Sequence, residues 1–540
     1  MKIPLSLTKW GAAVLLLSSL TSCEDILEQY FPKPTPTPPT IPTFPPLGQD
    51  IAFYALSGGT RLDAYSTANP GTRSASVGIT GLGSGETLLA IDFRPATGQL
   101  YGISSASRLY IINQNTGAAR ALGTSAFTPA LGGNLVGFDF NPTVDLIRLV
   151  TSTGQNLRLN PETGTVANTD GGINGAVGAT LTGVAYTNNT AGASTTALYA
   201  INTQNQQLYL VNPPNDGTVV PVGNLNLPVS GNGGFDIDAR TGTALGLYTV
   251  NGNPTLFTVD LTTGAARPLA QYSASAAYSG IAIPTQPVAY AASGSNIIFI
   301  FNPETLSSVP PVEKGVRGFT RPGEQIVGLD FRPANGQLYA LVRNGNVGVG
   351  SDGQVIPSHQ IYTINTATGV ATLVGRVSVP SNRLSGERSG FDFDPVTDRM
   401  RIITGSQENL WVSADASTTT VETRIDFGLG TGTAIAYDNN FAGAPTTRLY
   451  ALGEITLFEV NPPSAGRLTA VGNFNLGQEV TSEAFDIGGT SSTGYALLIP
   501  RVPGPASPKL YRINLTTGAA TLIRDLPGSA FRGLAIGLGF

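Results

Sequence analysis

The sequence is poor in reactive side chains. Its 540 residues include one Cys, one His, two Met and two Trp, and only 12% of them are charged. A single cysteine excludes disulfide bonds within the chain and cysteine-based zinc sites, and a single histidine excludes metal sites built from several histidines. The 35 acidic and 30 basic residues leave a net charge of −5. Nucleic acid binding requires clustered positive charge, so we expect no nucleic acid partner.

The only cysteine, Cys23, follows a secretion signal. A short basic region precedes an apolar run over residues 11–20, which is too short to span a bilayer as a helix. The run ends in Leu20-Thr21-Ser22-Cys23, which resembles the lipobox of bacterial lipoproteins. Residues 1–22 are therefore predicted to be a lipoprotein signal peptide. Cys23 is predicted to be the lipidated (palmitate-bearing) first residue of the mature chain, anchoring it to a membrane.

The segment after Cys23 predicts a stalk at the cell envelope. Acidic residues within 24–28 resemble the surface-export signal of some Gram-negative lipoproteins, although solvated polar sequence is an equal reading. Eight prolines lie within residues 32–46, and such a segment favours extended polyproline II structure. We predict a disordered Pro-rich linker over 23–50. The expected location is the outer membrane, on its periplasmic or surface-exposed face.

The remainder of the chain is a duplication. Residues 89–101 recur as 327–339, and residues 137–142 recur as 390–395, at an offset of about 250 residues. Within each copy, short apolar strands separated by Gly, Asn, Asp and Thr turns repeat about every 40–50 residues, which is the period of a four-stranded propeller blade. No long amphipathic helical stretch is present.

These repeats predict an all-β fold of two tandem β-propellers with five blades each. The first propeller is assigned to residues 51–285 and the second to residues 286–540. A late strand near Gly280, and its equivalent near Gly533, is expected to complete the first blade of its ring. One undivided ten-bladed ring is the alternative.

The motifs also resemble a known family. The strand Gly-Phe-Asp-Phe-x-Pro at 137–142, the run at 92–101 and the Asn-Asn-x-Ala-Gly-Ala segment at 188–193 look like the bacterial family catalogued as domain of unknown function 4394, in two copies. Members are secreted or surface proteins. The resemblance implies a fold and a location but no activity.

Six repeated aspartates are the candidate site residues. Each lies between apolar residues on a short strand, so three carboxylates in each ring could converge. They could tie down backbone N–H groups, hold Ca²⁺ or another hard cation, or act as an acid and base pair in glycoside cleavage. The six are Asp92, Asp139, Asp236, Asp330, Asp392 and Asp486.

Other polar residues carry weaker signals. His359 lies in an insertion of the second copy and is expected at the solvated surface, whereas Asp352 and Gly353 are expected in a hairpin turn. Recurring tyrosines are expected to pack within blades, with stacking on sugars as the alternative. They include Tyr101, Tyr199, Tyr339 and Tyr450.

The sequence as a whole predicts a non-catalytic binding or scaffold protein with a glycan or protein ligand. Assignment as an enzyme stays open, and a carboxylate-based glycoside hydrolase or lyase is one alternative. A calcium-binding surface module is another. No catalytic residue and no obligatory cofactor is assigned.

Overall fold

The computed structural model describes residues 44–540, except 177, 179, 306–309, 345–347, 350–354, 357–358, 378–388, 428–433, 504–505 and 527–530. The predicted signal peptide, Cys23 and most of the Pro-rich linker fall outside the described residues, as does the turn at Asp352 and Gly353. Within the described part, no helix is long and apolar enough to cross a membrane.

The first half of the chain forms five four-stranded antiparallel sheets. The strands of the first three sheets are β1 (Ala52–Ser57), β2 (Arg61–Ser66), β3 (Ala75–Gly78), β4 (Leu88–Phe93), β5 (Leu100–Ser104), β6 (Leu109–Ile112), β7 (Ala119–Ala121), β8 (Val136–Asn141), β9 (Leu146–Thr151), β10 (Asn156–Leu159) and β11 (Val166–Thr169). The others are β12 (Leu181–Tyr186), β13 (Leu198–Asn202), β14 (Gln207–Val211), β15 (Val219–Asn224), β16 (Val229–Ile237), β17 (Ala244–Val250), β18 (Asn253–Val259), β19 (Ala266–Gln271) and β20 (Tyr278–Ala282), with a 3₁₀ turn at Ala274–Ala276.

The second half repeats this arrangement with five more sheets. Its first strands are β21 (Ala289–Ser293), β22 (Ile297–Phe301), β23 (Val312–Gly315), β24 (Glu324–Arg332), β25 (Gln337–Asn344), a small hairpin of β26 (Gly348–Val349) and β27 (Val355–Ile356), β28 (His359–Ile364) and β29 (Ala371–Arg376). They are followed by β30 (Ser389–Asp394), β31 (Arg399–Thr404), β32 (Asn409–Ser413), β33 (Thr419–Glu422), β34 (Ile435–Tyr437), β35 (Leu449–Leu452), β36 (Thr456–Val460), a 3₁₀ turn at Pro463–Ala465, β37 (Leu468–Asn473), β38 (Val480–Ile487), β39 (Gly494–Pro500), β40 (Lys509–Ile513), β41 (Ala520–Asp525) and β42 (Phe531–Ile536).

The last strand of each half joins the first sheet of that half. β20 pairs with β1, with Leu56 opposite Gly280, and β42 pairs with β21, with Ala292 opposite Gly533. The prediction that a late strand completes the first sheet of each half is thereby confirmed. Each half begins and ends in one sheet, as expected of a duplicated unit that was complete before it was copied.

Burial decreases from the first to the last strand of a sheet. Every residue of β12 is buried, whereas most residues of β15, the fourth strand of the same sheet, are exposed or half-buried. The first strands of successive sheets contact one another, and β20 contacts both β16 and β4. In the second half, β42 contacts both β38 and β24 in the same way. Apolar side chains of adjacent sheets pack between these strands and supply most of the core.

The recurring Thr-Gly turns link neighbouring sheets. At Asn113, the side-chain Oδ1 accepts the N–H of Thr116 at 3.1 Å, and the N–H of Gly117 returns to the Asn113 carbonyl at 2.8 Å. Gly117 has a φ of 76°, and a Cβ there would lie 2.1 Å from the carbonyl oxygen of Gly78. Glycine is required because the turn needs left-handed backbone and because the next sheet lies against it.

Polar contacts join the two halves. The Arg94 guanidinium donates to the Gly336 carbonyl at 2.9 Å, and the Gln337 amide donates to Glu162 at 2.9 Å. The Tyr290 hydroxyl donates to the Ala96 carbonyl at 3.0 Å. The residues at this junction are buried or half-buried, so the halves meet through a packed surface.

His359 is buried, contrary to the expectation of a solvated loop residue. It begins strand β28 and is 2% exposed. Burial, together with the charge of Arg343, lowers the pKa of His359 to about 4. The prediction was wrong because the insertion lies between β25 and β28 and ends before His359, which pairs with Arg343 across the sheet.

Candidate functional site: two buried aspartate triads

The structure brings the six predicted aspartates together as two triads. Asp92, Asp139 and Asp236 form the first triad, and Asp330, Asp392 and Asp486 form the second. In each triad, one ligand oxygen from each residue lies within 4.8 Å of the other two. All six side chains are at most 2% exposed. Clusters of buried carboxylates of this kind could hold a metal ion.

Each aspartate lies on the first strand of its sheet and reaches the first strand of the next. Asp92 on β4 accepts the N–H of Phe140 on β8 at 2.8 Å, and Asp139 accepts the N–H of Tyr186 on β12 at 3.0 Å. In the second half, Asp392 on β30 accepts the N–H of Tyr437 on β34 at 3.0 Å. The carboxylates therefore tie neighbouring sheets together through their first strands.

Small residues allow this close approach. Residues i and i+2 of a strand share a face, so the residue two positions before each aspartate faces the same neighbouring strand. A Cβ on Gly137, two positions before Asp139, would lie 2.9 Å from the Val184 nitrogen. A Cβ on Gly328, two positions before Asp330, would lie 2.5 Å from the Phe391 Cβ. Larger side chains there would push the strands apart and break the carboxylate–amide bonds.

Only three of the five first strands in each half carry the acid. Ala185 and Ala282 occupy the corresponding positions of β12 and β20, and Ala436 and Ala535 those of β34 and β42. Asp236 on β16 accepts the N–H of Ile283, the residue that follows β20, at 2.6 Å. The two alanines of each half leave three carboxylates, and not five, to converge.

Burial makes these carboxyl groups hard to ionise. It raises the pKa of Asp236 and of Asp486 to about 7. Burial and the neighbouring Asp236 carboxylate raise the pKa of Asp92 well above its usual value, and burial and the Asp486 carboxylate do the same for Asp330. Hydrogen bonds from backbone N–H groups lower these pKa values, but by less than burial raises them. Among the described residues, no cationic side chain contributes to these shifts.

A small cavity lies beside each triad. In the second half its volume is about 10 Å³, and its walls include Gly328, Gly390 and Ala484, each two positions before a triad aspartate. In the first half a cavity of the same size is lined in part by Ala90 and Gly234. Each has room for about one water molecule. The triads are therefore not open to a substrate of sugar size.

A larger cavity lies where the two halves meet. It measures about 360 Å³, and Thr190 and Ala191 of the first half contribute to its wall. Most of its lining comes from the second half and is mostly apolar, with four polar side chains, Gln286, Asn302, Thr305 and Arg524. The second-half lining includes Val288, Ile300, Phe301, Gln286, Asn302 and Arg524. Sequence patterns do not predict this cavity, because its walls come from loops and strands far apart in the chain.

Sequence reasoning also missed a buried ion pair between Arg94 and Asp145, which we call the arginine corner. Arg94 is 1% exposed and forms an ion pair with Asp145 at 2.5 Å, and a longer one with Glu162 at 3.4 Å. Arg94 belongs to the repeated Asp-Phe-Arg-Pro motif, and this repetition was the one sequence feature that could have pointed to it. Its partner Asp145 lies 51 positions away in a turn, so spacing alone could not pair them.

The tyrosines pack as predicted. Tyr101, Tyr339 and Tyr450 are buried, and Tyr199 is half-buried. The Tyr101 ring meets Phe140 edge-on at 5.1 Å between centroids, and Tyr339 meets Phe393 in the same way at 4.9 Å. The packing of the duplicated motif is thus itself duplicated.

The family model described as domain of unknown function DUF4394 matches residues 61–282 and again residues 298–535. The chain belongs to this family. Its two copies agree with the two halves of the fold, and the family description assigns no activity. Among curated proteins, none matches the chain.

Similarity to solved structures is weak. A chain in the crystal structure of a nidogen/laminin complex has 13% identity and a TM-score of 0.28, covering 47% of this chain and 98% of that one. PorZ, a bacterial surface component of the type-IX secretion system of Porphyromonas gingivalis, has 13% identity and a TM-score of 0.25, covering 88% and 66%. A Lactobacillus plantarum protein has 14% identity and a TM-score of 0.23, covering 65% and 98%. Nothing about this chain follows from scores this low.

Proposed function

We propose that this protein is a lipid-anchored component of the bacterial cell envelope whose two five-bladed propellers form a non-catalytic binding platform. Two closed rings are supported by the cyclic contacts among the first strands of each half and by the pairing of β20 with β1 and β42 with β21. Small-angle X-ray scattering of the purified protein tests the rings: two connected discs are expected, and the profile of one ten-bladed ring would contradict them.

The cavity between the halves is the observation that carries the binding role. Its volume of about 360 Å³ lies in the range of small-molecule sites, which are mostly apolar with a few fixed polar groups. The Arg524 guanidinium lies 5.8 Å from the centre of the Phe301 ring at its wall. No carboxylate pairs with Arg524 in the part of the chain that is described. This chemistry favours a ligand with an apolar body and an anionic group.

Binding of 1-anilinonaphthalene-8-sulfonate, an apolar anion, tests this role by fluorescence titration. Saturable binding to the native protein is expected, weakened by Arg524→Gln and by Ile300→Trp, which fills the cavity. Arg120→Gln, at an exposed position on β7, is the matched control and should leave binding unchanged. Equal binding by all four proteins would contradict a ligand site in this cavity.

The location rests on Cys23. Metabolic labelling with an alkyne analogue of palmitate should mark the native protein and place it in the outer-membrane fraction. The Cys23→Ser variant should remain unlabelled and leave that fraction. Labelling that survives the substitution would contradict the proposed anchor.

The buried triads disfavour the rival carboxylate-based glycosidase. Glycoside cleavage places two carboxyl groups on either side of a sugar, and here the six candidate acids are enclosed and bonded to backbone N–H groups. A panel of glycan substrates should show no turnover. Turnover that is lost in Asp139→Asn or Asp392→Asn would overturn the non-catalytic proposal.

A second candidate function is that of a calcium-binding structural module. The specific observation in its favour is the gathering of three carboxylate oxygens within 4.8 Å in each half. Calcium prefers oxygen ligands at 2.3–2.6 Å, so oxygens at this mutual distance can contact one ion. An ion bound there would join three first strands, and calcium should therefore raise the unfolding temperature. An unfolding temperature unchanged by calcium would contradict this role.

A further inference from the structure

The two triads differ in how their oxygens are satisfied. Asp92 accepts the N–H of Phe93 at 2.7 Å on one oxygen and that of Phe140 at 2.8 Å on the other. Its counterpart Asp330 accepts the N–H of Phe393 on Oδ2 at 2.7 Å, and the N–H of Phe331 stabilises its carboxylate more weakly. Asp330 Oδ1 is buried without a hydrogen bond of normal geometry, and so is Asp392 Oδ2. The second triad therefore has two buried carboxylate oxygens in need of a partner.

An orphaned carboxylate oxygen in a dry core is costly. Burying a polar atom without a partner costs about 1–3 kcal/mol, and more for a charged group. The side chains of Asp330 and Asp392 are 0% and 1% exposed, so bulk water does not offset this cost. Either protons or a cation must neutralise the triad. Protons would satisfy one oxygen each, whereas one cation contacts all three residues at once.

We infer that the second triad, Asp330, Asp392 and Asp486, is the stronger calcium site of the two, with Asp330 Oδ1 and Asp392 Oδ2 among the ion's ligands. The inference rests on the candidate calcium role and adds to it the site and the ligand atoms. The repeated acids are consistent with it. An Asn oxygen would accept the same backbone N–H without a buried charge, yet all six positions carry Asp.

A water-sized space adjoins the site on the same side of the strands. The small cavity bounded by Gly328, Gly390 and Ala484 lies one step along the shared face from the three aspartates. Arg532, also on its wall, forms an ion pair with Glu483 at 3.1 Å. The site therefore combines three acids, two orphaned oxygens and a water-sized space.

Equilibrium dialysis of the full-length protein, stripped with a chelator and offered Ca²⁺, tests the inference. Asp→Asn variants keep an acceptor for the backbone N–H, so circular dichroism should confirm that they remain folded. Asp392→Asn and Asp330→Asn should each remove the tightest equivalent of bound Ca²⁺. They should also remove the rise in unfolding temperature that accompanies it.

The first triad supplies the matched controls. Asp139→Asn and Asp92→Asn should keep the tightest Ca²⁺ equivalent. If these variants lose that equivalent while the second-triad variants keep it, the inference fails and the calcium role stands. If the native protein binds no Ca²⁺, both fail. The binding platform is affected by neither result, because its test is ligand binding at the cavity between the halves.

Discussion

The two halves carry the same arginine corner in different surroundings. Arg94 and Asp145 in the first half are 1% and 7% exposed, whereas Arg332 and Asp398 in the second are 23% and 34% exposed. Arg94 also donates to the Gly336 carbonyl, so the second half covers the corner of the first. The duplicated motif determines the ion pair, and the packing of one half against the other determines its burial.

The largest expected effect is the loss of Arg94. Arg94→Ala removes the cation from two carboxylates of low exposure, Asp145 and Glu162, and such a change costs about 3–5 kcal/mol of unfolding free energy. Arg332→Ala opens a corner that water reaches, so a cost of about 1 kcal/mol or less is expected. Urea unfolding measures both, and equal costs would show that burial at the junction is not what separates the two corners.

Two glycines at equivalent positions of β20 and β42 should respond differently to alanine. A Cβ on Gly533 would lie 2.8 Å from the Leu329 nitrogen, whereas the nearest atom to a Cβ on Gly280 is 3.4 Å away. Gly533→Ala should cost about 1–3 kcal/mol, because a packed strand must shift. Gly280→Ala should change stability by about 0.5 kcal/mol or less. Thermal unfolding compares them, and a costly Gly280→Ala would mean that the first strands of the first half are packed more tightly than the distances to Gly280 indicate.

A smaller difference is expected for two equivalent tyrosines. The Tyr290 hydroxyl donates to the Ala96 carbonyl across the junction, and Tyr290→Phe should cost about 0.5–1.5 kcal/mol. Tyr54 stands at the corresponding place in the first half, and Tyr54→Phe should be close to neutral. The difference in urea midpoints between the two variants measures this hydrogen bond. If Arg94→Ala separates the two halves at their junction, the difference in urea midpoint between Tyr290→Phe and Tyr54→Phe should vanish in that background.

A further difference concerns pH and His359, which is present in the second half alone. Its pKa is lowered to about 4 by burial, below the unfolded value of about 6.5. As pH falls from about 6.5 to about 4, the unfolded chain takes up a proton that the folded chain refuses, so this residue lowers stability across that window. His359→Gln should remove that loss.

The measurement is the difference in unfolding temperature between the native protein and His359→Gln at pH 7 and at pH 4.5. The buried aspartates are common to both proteins and cancel in this difference. An unchanged difference between the two pH values would contradict the burial of a neutral His359.

The sequence predicted the sheets well, and for a physical reason. Alternating apolar residues and Asn-x-x-Thr-Gly turns act over a few positions, so strands such as β8 and turns such as that at Gly117 can be predicted from the local sequence. The duplication then indicated where each half ends. The same local signals misplaced His359, because its burial comes from strands that the insertion separates from it in the chain.

By itself, the sequence determined the repeat, the strand pattern and the six aspartates that could converge, because these follow from local alternation and from the copying of one unit. Only the tertiary structure decided that those acids are buried, that two oxygens of the second triad lack partners, and that Arg94 is covered while Arg332 is not. Exposure and pairing depend on which distant strands and loops come together, and that information is spread over the whole chain.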